Sequence, residues 1–235
     1  MGIVELGGVI IAQATQRVEL AAQNVANMTT AGYKSRYQFR NLIDSHNTGL
    51  SAGRTGGVDE MSVDFTAGKL QRTGNPFDLA ISGPGFFTVR TDAGLFYTRA
   101  GHFSRDAEGR LTAPDGSVLQ STNGDVVVEG EKFAVLADGT ILEGDQPVSQ
   151  LAIAAFDDLR QLRSVGVGLF AAPNGVARDT VGSEIRQGVL EASNVTTANE
   201  MISMMAGLRS AETGQRLVQV YDDLMGRAIT AFGQM

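Results

Sequence analysis

The chain of 235 residues contains no cysteine. That absence excludes disulfides, thiolate metal sites and a cysteine nucleophile, and it suits a protein that passes unfolded through an oxidising compartment. Proline is scarce, at 5 residues, while glycine reaches 29 without a collagen period. The combination points to many tight turns and so to a β-rich region. Charge is also low, at 19% of residues with a net of −7. An acidic balance leaves no basic footprint, so nucleic acid is not an expected partner. Long apolar runs are missing. Leu6 to Ala12 is far short of a membrane span, has no basic segment before it and follows Glu5, so no cleaved signal peptide is expected. If the chain leaves the cytoplasm, it takes a route that does not read a Sec signal. The hydrophobic share of 43% is ordinary for a folded chain long enough for one large domain or two small ones.

Catalytic chemistry has little to stand on. The two histidines, His46 and His102, have no second His, Cys or carboxylate at ligand spacing, so surface or structural roles are expected. Adjacent side chains point apart on a strand or helix, so Asp157-Asp158 and Asp222-Asp223 read as solvated surface or subunit contact. No serine sits in a nucleophile elbow. Gly166-Val167-Gly168-Leu169-Phe170-Ala171 superficially matches a dinucleotide fingerprint. It runs into the turn Ala172-Pro173-Asn174-Gly175 rather than opening a helix, and is rejected. The expectation is a protein that is not an enzyme, with no catalytic residue, no metal, no cofactor and no small-molecule substrate.

What is present reads as helix, loop, strands, helix. From Val4 the steps of three and four give Gly7, Ile11, Ala14, Val18, Ala21, Val25 and Met28, an apolar a/d seam flanked by amides rather than charges. Ala31-Gly32 is read as the end of this helix, with Gly32 as its left-handed cap. Leu50 to Gly57 reads as a flexible crossing. From Phe77 to Arg186, short apolar runs alternate with turn signals: Gly83-Pro84-Gly85, Asp92-Ala93-Gly94, Glu108-Gly109, Asp115-Gly116, Asn123-Gly124, Asp138-Gly139 and Asn174-Gly175. Between them, Phe86–Arg90, Leu95–Arg99, Val118–Gln120, Val126–Glu129, Phe133–Ala137 and Leu151–Phe156 are expected strands of a compact antiparallel domain. Thr197 and Glu200 form a capping-box pattern. Beyond them a second seam runs Met201, Met204, Leu208, Ala211, Val218, Met225, Ile229 and Phe232, beside a stripe of Leu217, Tyr221, Leu224, Ala228 and Ala231. Such patterns fit the core helix of a monomer equally well. The missing charged face on both terminal helices shifts the balance towards burial in an assembly.

Three stretches, in order, resemble the bacterial flagellar basal-body rod and hook family. They are Ala22-Gln23-Asn24-Val25-Ala26-Asn27-Met28-Thr29-Thr30-Ala31-Gly32-Tyr33-Lys34; Asp78-Leu79-Ala80-Ile81-Ser82-Gly83-Pro84-Gly85-Phe86-Phe87 with Tyr97-Thr98-Arg99-Ala100-Gly101-His102-Phe103; and Gly188-Val189-Leu190-Glu191-Ala192-Ser193-Asn194-Val195. The resemblance implies an α+β fold: a discontinuous helical coiled-coil domain from both termini (1–40 and 188–235), an extended connection (41–76) and a central antiparallel β-rich domain (77–187). It implies a structural subunit of the rod that spans the periplasm, polymerising through its helices into the shaft that transmits torque. Its partners would be copies of itself, the proximal and distal rod proteins, and the flagellar type III export apparatus. Within the family, the short chain and compact 35–76 connection look more like the proximal rod member than the longer distal one, and the hook protein fits worst. One departure stands in the last helix, where Arg209-Ser210-Ala211-Glu212 lacks the aromatic that relatives carry. Another exported filament or adhesin subunit with a β-rich head is the rival reading, and a carbohydrate-binding or hydrolytic β domain a more distant one.

Roles for the motif residues follow from their chemistry. Asn24 and Asn27 satisfy backbone groups where the first helix ends, Thr29 lies between them and Gly32, and Gly32 lets the chain turn. Gly83 and Gly85 permit close backbone approach, with Phe86 or Phe87 as a core anchor. Tyr97 and Arg99 fit either strand packing or an inter-domain contact. Asp78, Gly101, Glu191, Ser193 and Val195 are carried by the family pattern, and Asn194 is expected to begin the last helix.

Overall fold

The computed structural model describes residues 3–40, 59–130, 133–173, 178–179 and 182–232. His46, the Leu50–Gly57 crossing, the Asn174-Gly175 turn and the side chains of Ala231 and Phe232 lie outside the described residues. The chain is α+β, with helices α1 (Ile3–Ala26) and α2 (Thr197–Phe232) at its two ends and short strands between them. It divides into two compact units, one of residues 1–26, 36–62 and 195–235, the other of residues 27–35 and 63–194.

In the first unit α1 and α2 pack antiparallel, as three contacts show. A Cβ placed on Gly7 would lie 2.6 Å from Val218 Cγ2; one on Gly214, 2.8 Å from Ile11 Cγ1; one on Gly207, 2.7 Å from Val18 Cγ2. Position rises along one helix as it falls along the other. Glycine in a helix interior costs about 1 kcal/mol against alanine, and here it is what lets the backbones approach. Ile11 and Val18 therefore face α2, and Val25 is partly buried on the same stripe. On α2 the covered face runs through Gly207, Gly214 and Val218, of which Val218 belongs to the expected seam and the two glycines lie between it and the neighbouring stripe. Met204 is partly buried, whereas Met201, Leu208, Met225 and Ile229 are exposed. A ribbon of Arg36–Arg40 and Asp59–Val63 completes this part, joined to α1 by Gln38 Nε2 donating to Gln16 Oε1 at 3.2 Å.

The first helix stops at Ala26 rather than at Ala31-Gly32. Residues 27–32 are a turn, closed by Thr30 N–H donating to the Asn27 carbonyl at 3.1 Å. Gly32 does have the expected left-handed backbone, φ +68°, but six residues past the helix end.

In the second unit the main sheet is antiparallel and runs, in spatial order, 163–164, 169–171, 94–98, 86–91, 118–121, 111–112 and 104–105. A three-stranded sheet of 133–135, 140–143 and 146–150 and the paired strands 79–82 with 184–187 complete its body. Val126–Glu129 forms no strand, although Val126 and Val128 are fully buried and Val127 bridges Arg110. Leu151–Phe156 shortens to Ile153–Ala155. Strand alternation sends consecutive phenylalanines to opposite faces. Phe87 enters the larger core, edge-on to Phe103 with ring centroids 5.7 Å apart, and Phe86 enters a smaller one with Phe65, Phe156 and Phe170. Both are anchors, not one or the other.

Phe87→Ala is expected to destabilise the β-rich unit by about 3–5 kcal/mol, read as a lower midpoint in urea by circular dichroism. Leu95→Ala, at a side chain 55% exposed, is expected to change stability by under about 0.5 kcal/mol.

Candidate functional site

The family-like stretches meet at one buried carboxylate. Gly32 N–H donates to the Glu191 carbonyl at 2.7 Å. The Lys34 ammonium donates to Glu191 Oε1 at 2.5 Å and to the Thr66 carbonyl at 2.8 Å. Gly68 N–H donates to the same Oε1 at 2.9 Å, and Arg99 Nη1 to Glu191 Oε2 at 3.2 Å. Both carboxylate oxygens are thus occupied by donors from three distant parts of the chain. Side-chain exposure is 1% for Lys34 and Glu191 and 9% for Arg99, so water does not screen these charges.

Arg99 spans further. Its Nη1 and Nη2 donate to the Ile81 and Gly83 carbonyls at 3.2 and 2.7 Å, and its guanidinium lies 5.3 Å from the centroid of the Phe86 ring. Tyr97 and Arg99 of the Tyr97-Thr98-Arg99 stretch make different contacts, both within the second unit. Tyr97 packs edge-on to Phe156, and its burial raises the phenol pKa. Arg99 leaves the strand end to reach Glu191. Gly83 and Gly85 both have positive φ, and Gly83 offers its carbonyl to Arg99. Gly32 lies so close to the Arg99–Ala100 peptide that a Cβ there would sit 2.2 Å from the Arg99 carbonyl carbon. No other residue fits.

Two cations share one anion. Burial is the largest influence on Lys34 and lowers its pKa from 10.5 despite the attraction of Glu191; burial likewise lowers Arg99.

Asn194 pins the same segments. It does not begin a helix; α2 starts at Thr197. Its Oδ1 accepts from Ser35 N–H at 2.8 Å, and its Nδ2 donates to the Asp64 carbonyl at 2.8 Å and to Thr66. A side chain spent on two other segments is not available to cap. Val195 and the partly buried Ser193 lie in the same stretch leading to α2. In the first unit Asn24, also buried, treats Arg36 as a strand partner would, accepting from its N–H at 3.0 Å and donating to its carbonyl at 2.8 Å. Asn27 accepts from Thr30 within its turn, and Thr29 is exposed beside it.

Asp78 holds a neighbouring spot: its Oδ1 meets His102 Nδ1 at 2.7 Å and accepts from Asn75 at 3.2 Å, and its carbonyl takes the Gly188 N–H at 2.8 Å. Gly101 touches the Leu79 carbonyl, where a Cβ would lie 1.6 Å away. Sequence reasoning missed Lys34 as the partner of Glu191, although it closes the first motif. It had no signal for Thr66 or Gly68, which meet Lys34 and Glu191 through backbone groups alone. Asp158 caps the short turn Leu159–Gln161 by accepting from Arg160 N–H at 3.1 Å. Among the described residues no group of His, Cys, Asp or Glu is placed to hold a metal.

Residues 80–143 match the family described as flagellar hook protein FlgE/F/G D1 domain. Residues 186–231 match the one described as flagellar basal body rod FlgEFG protein C-terminal. The chain belongs to the flagellar basal-body rod protein family. It is 28% identical over 232 residues to the flagellar basal-body rod protein FlgF of Caulobacter vibrioides, covering 94% of this chain and 93% of that one. It is also 28% identical over 240 residues to the rod protein FlgG of Bacillus subtilis, covering 89% and 90%. The flagellar hook-basal body complex protein FlhO of Bacillus subtilis is 26% identical over 268 residues, covering 100% and 99%. The rod family is a structural component of the flagellar basal body, and the Glu191 junction is a structural joint within one of its members.

Removing one partner of a buried charge pair costs about 3–5 kcal/mol. Glu191→Gln, which strands two cations, is expected to lose about that much. Lys34→Met leaves Arg99 and Glu191 balanced and is expected to lose about 1–2 kcal/mol, the worth of its hydrogen bonds. Urea unfolding followed by circular dichroism checks the order; a larger loss in Lys34→Met would refute it.

Proposed function

We propose that this chain is a proximal rod subunit of the FlgF type, polymerising through its terminal helices in a coiled-coil arrangement into the shaft that transmits torque across the periplasm. The observation that carries the reading is the exposure of large apolar side chains along both helices of a chain whose β-rich unit is well packed. Ile202 is 66% exposed, Met205 59%, Leu224 58% and Ile229 67%, with Ile3 and Leu6 near half. Surfaces of this kind mark contacts with other chains. A contact between unlike patches that does not close on itself builds a tube or filament.

The FlgF assignment rests on the short chain and the compact connection between residues 35 and 76. FlgG of the distal rod is the alternative, equal in identity. Its neighbours would be copies of itself and other rod proteins. Delivery would be by the flagellar type III export apparatus, in keeping with the lack of cysteine. Asn24, Glu191 and Asn194 act within this reading as positioning residues for the segments that lead out of α1 and into α2.

Expression in a motile host lacking its FlgF tests the subtype: swimming should return there and not in a host lacking FlgG. Ile202→Asp and Ile229→Asp, both at exposed sites, should leave the purified protein's circular dichroism unchanged yet abolish rescue. Motility and intact basal bodies in the chain's own source after deletion of its gene would instead favour an exported filament or adhesin subunit.

A further inference from the structure

The Glu191 junction has an unusual chain order. Its parts are residues 32–35, 64–72 and 188–194, and nearly all the hydrogen bonds that hold the first two come from the third. Gly32 N–H, the Lys34 ammonium and Ser35 N–H go to Glu191, Glu191 and Asn194. Gly68 N–H goes to Glu191, and Thr73 and Gly74 N–H both go to the Gly188 carbonyl. Strand 70–72 pairs with 189–191, and Ala192 N–H donates to the Lys69 carbonyl at 2.8 Å. Two further links, Asp64 N–H to Ser35 and Lys34 to Thr66, join the first two segments and depend on both being in place, while Tyr33 N–H to Thr30 and Thr66 N–H to Asp64 are local turns. Strand 70–72 cannot stand without this partner, since all three of its side chains are exposed.

The core elsewhere has its own support. Leu79, Phe87, Val89, Leu111, Leu119 and Ile141 are completely buried within the second unit. The junction has apolar ties of its own, Phe65 against Phe86 and Phe170 and the buried Tyr33 and Val189, but its segments are joined to one another mainly by polar contacts. A region with a dense apolar core and a region joined mainly by polar contacts open with different free energies, as separate cooperative parts of one fold.

We infer that residues 32–35, 64–72 and 188–194 form a single completeness lock, which closes only when the C-terminal strand arrives. The segment that follows α1 is among the first made, yet it is among the last to fold. The Lys34–Glu191 contact closes a loop of 157 residues, and such closure is intrinsically slow. A chain delivered from its N-terminus therefore cannot set its first segment until almost all of it is present. Loss of Glu191 or Asn194 opens all three segments together and leaves the β-rich body closed. This holds whatever the chain assembles into.

Hydrogen exchange read by mass spectrometry on the full chain tests it, with wild type, Glu191→Gln and the milder Asn194→Ala. In both variants exchange should rise at least tenfold, and in parallel, over 32–35, 64–72 and 188–194, with 86–91 and 118–121 unchanged. Pulse labelling during refolding of the wild-type chain should show 32–35 and 188–194 gaining protection together, after 86–91. Faster exchange in 188–194 alone, a uniform rise across the β-rich unit in Asn194→Ala, or protection of 32–35 before 188–194 would each overturn the lock.

Discussion

The structure turns on a carboxylate that has no access to water. Glu191 is 1% exposed and must have its charge compensated from within the protein. Compensation comes from Lys34, Arg99 and the Gly68 amide, and each belongs to a different part of the chain. Once this requirement is set, much else follows. Gly32 must lack a side chain for Lys34 to approach past the Arg99 peptide. Arg99 must leave its strand at Thr98, and the carbonyls of Ile81 and Gly83 must turn towards it. Motif residues far apart in the chain thereby acquire one physical task.

A buried ion cluster is weak evidence of stability and better evidence of specificity. Hydrophobic side chains of similar size would hold the same segments at least as firmly. They would not discriminate between the correct register of strand 189–191 and a shift by one residue, which turns Glu191 outward and strands two cations. The helices follow a different rule. There, register is set by glycines at positions 7, 207 and 214, where only a small residue lets Val218, Val18 and Ile11 seat. The apolar side chains beside this narrow contact remain exposed, so pairing within one chain does not exhaust what the helices offer.

Much of this was legible in the sequence because it is local. Helices at the ends and a turn-rich antiparallel centre follow from periodicity, glycine placement and composition. The errors share a cause. Gly32 looked like a helix cap because glycine after a helix commonly is one, but its conformation answers a contact with Arg99 far along the chain. Asn194 looked like a helix start because asparagine favours caps, but its amide is used by Ser35, Asp64 and Thr66. Met201 and Leu208 counted as seam residues because the heptad template selects large apolar positions, whereas the true contact selects small ones. The convergence on Glu191 could not be read from any spacing, since its partners lie 92 and 157 residues away.

The central claim is that Glu191 is required because two buried cations depend on it, and a double-mutant cycle tests that most directly. Unfolding free energies would be compared for the wild type, Lys34→Met, Glu191→Gln and the double variant. The account predicts that Lys34→Met, destabilising alone, restores stability in the Glu191→Gln background, with a coupling of about 1–3 kcal/mol. Additive losses would contradict it, and would mean that the two side chains are held by the fold rather than holding it.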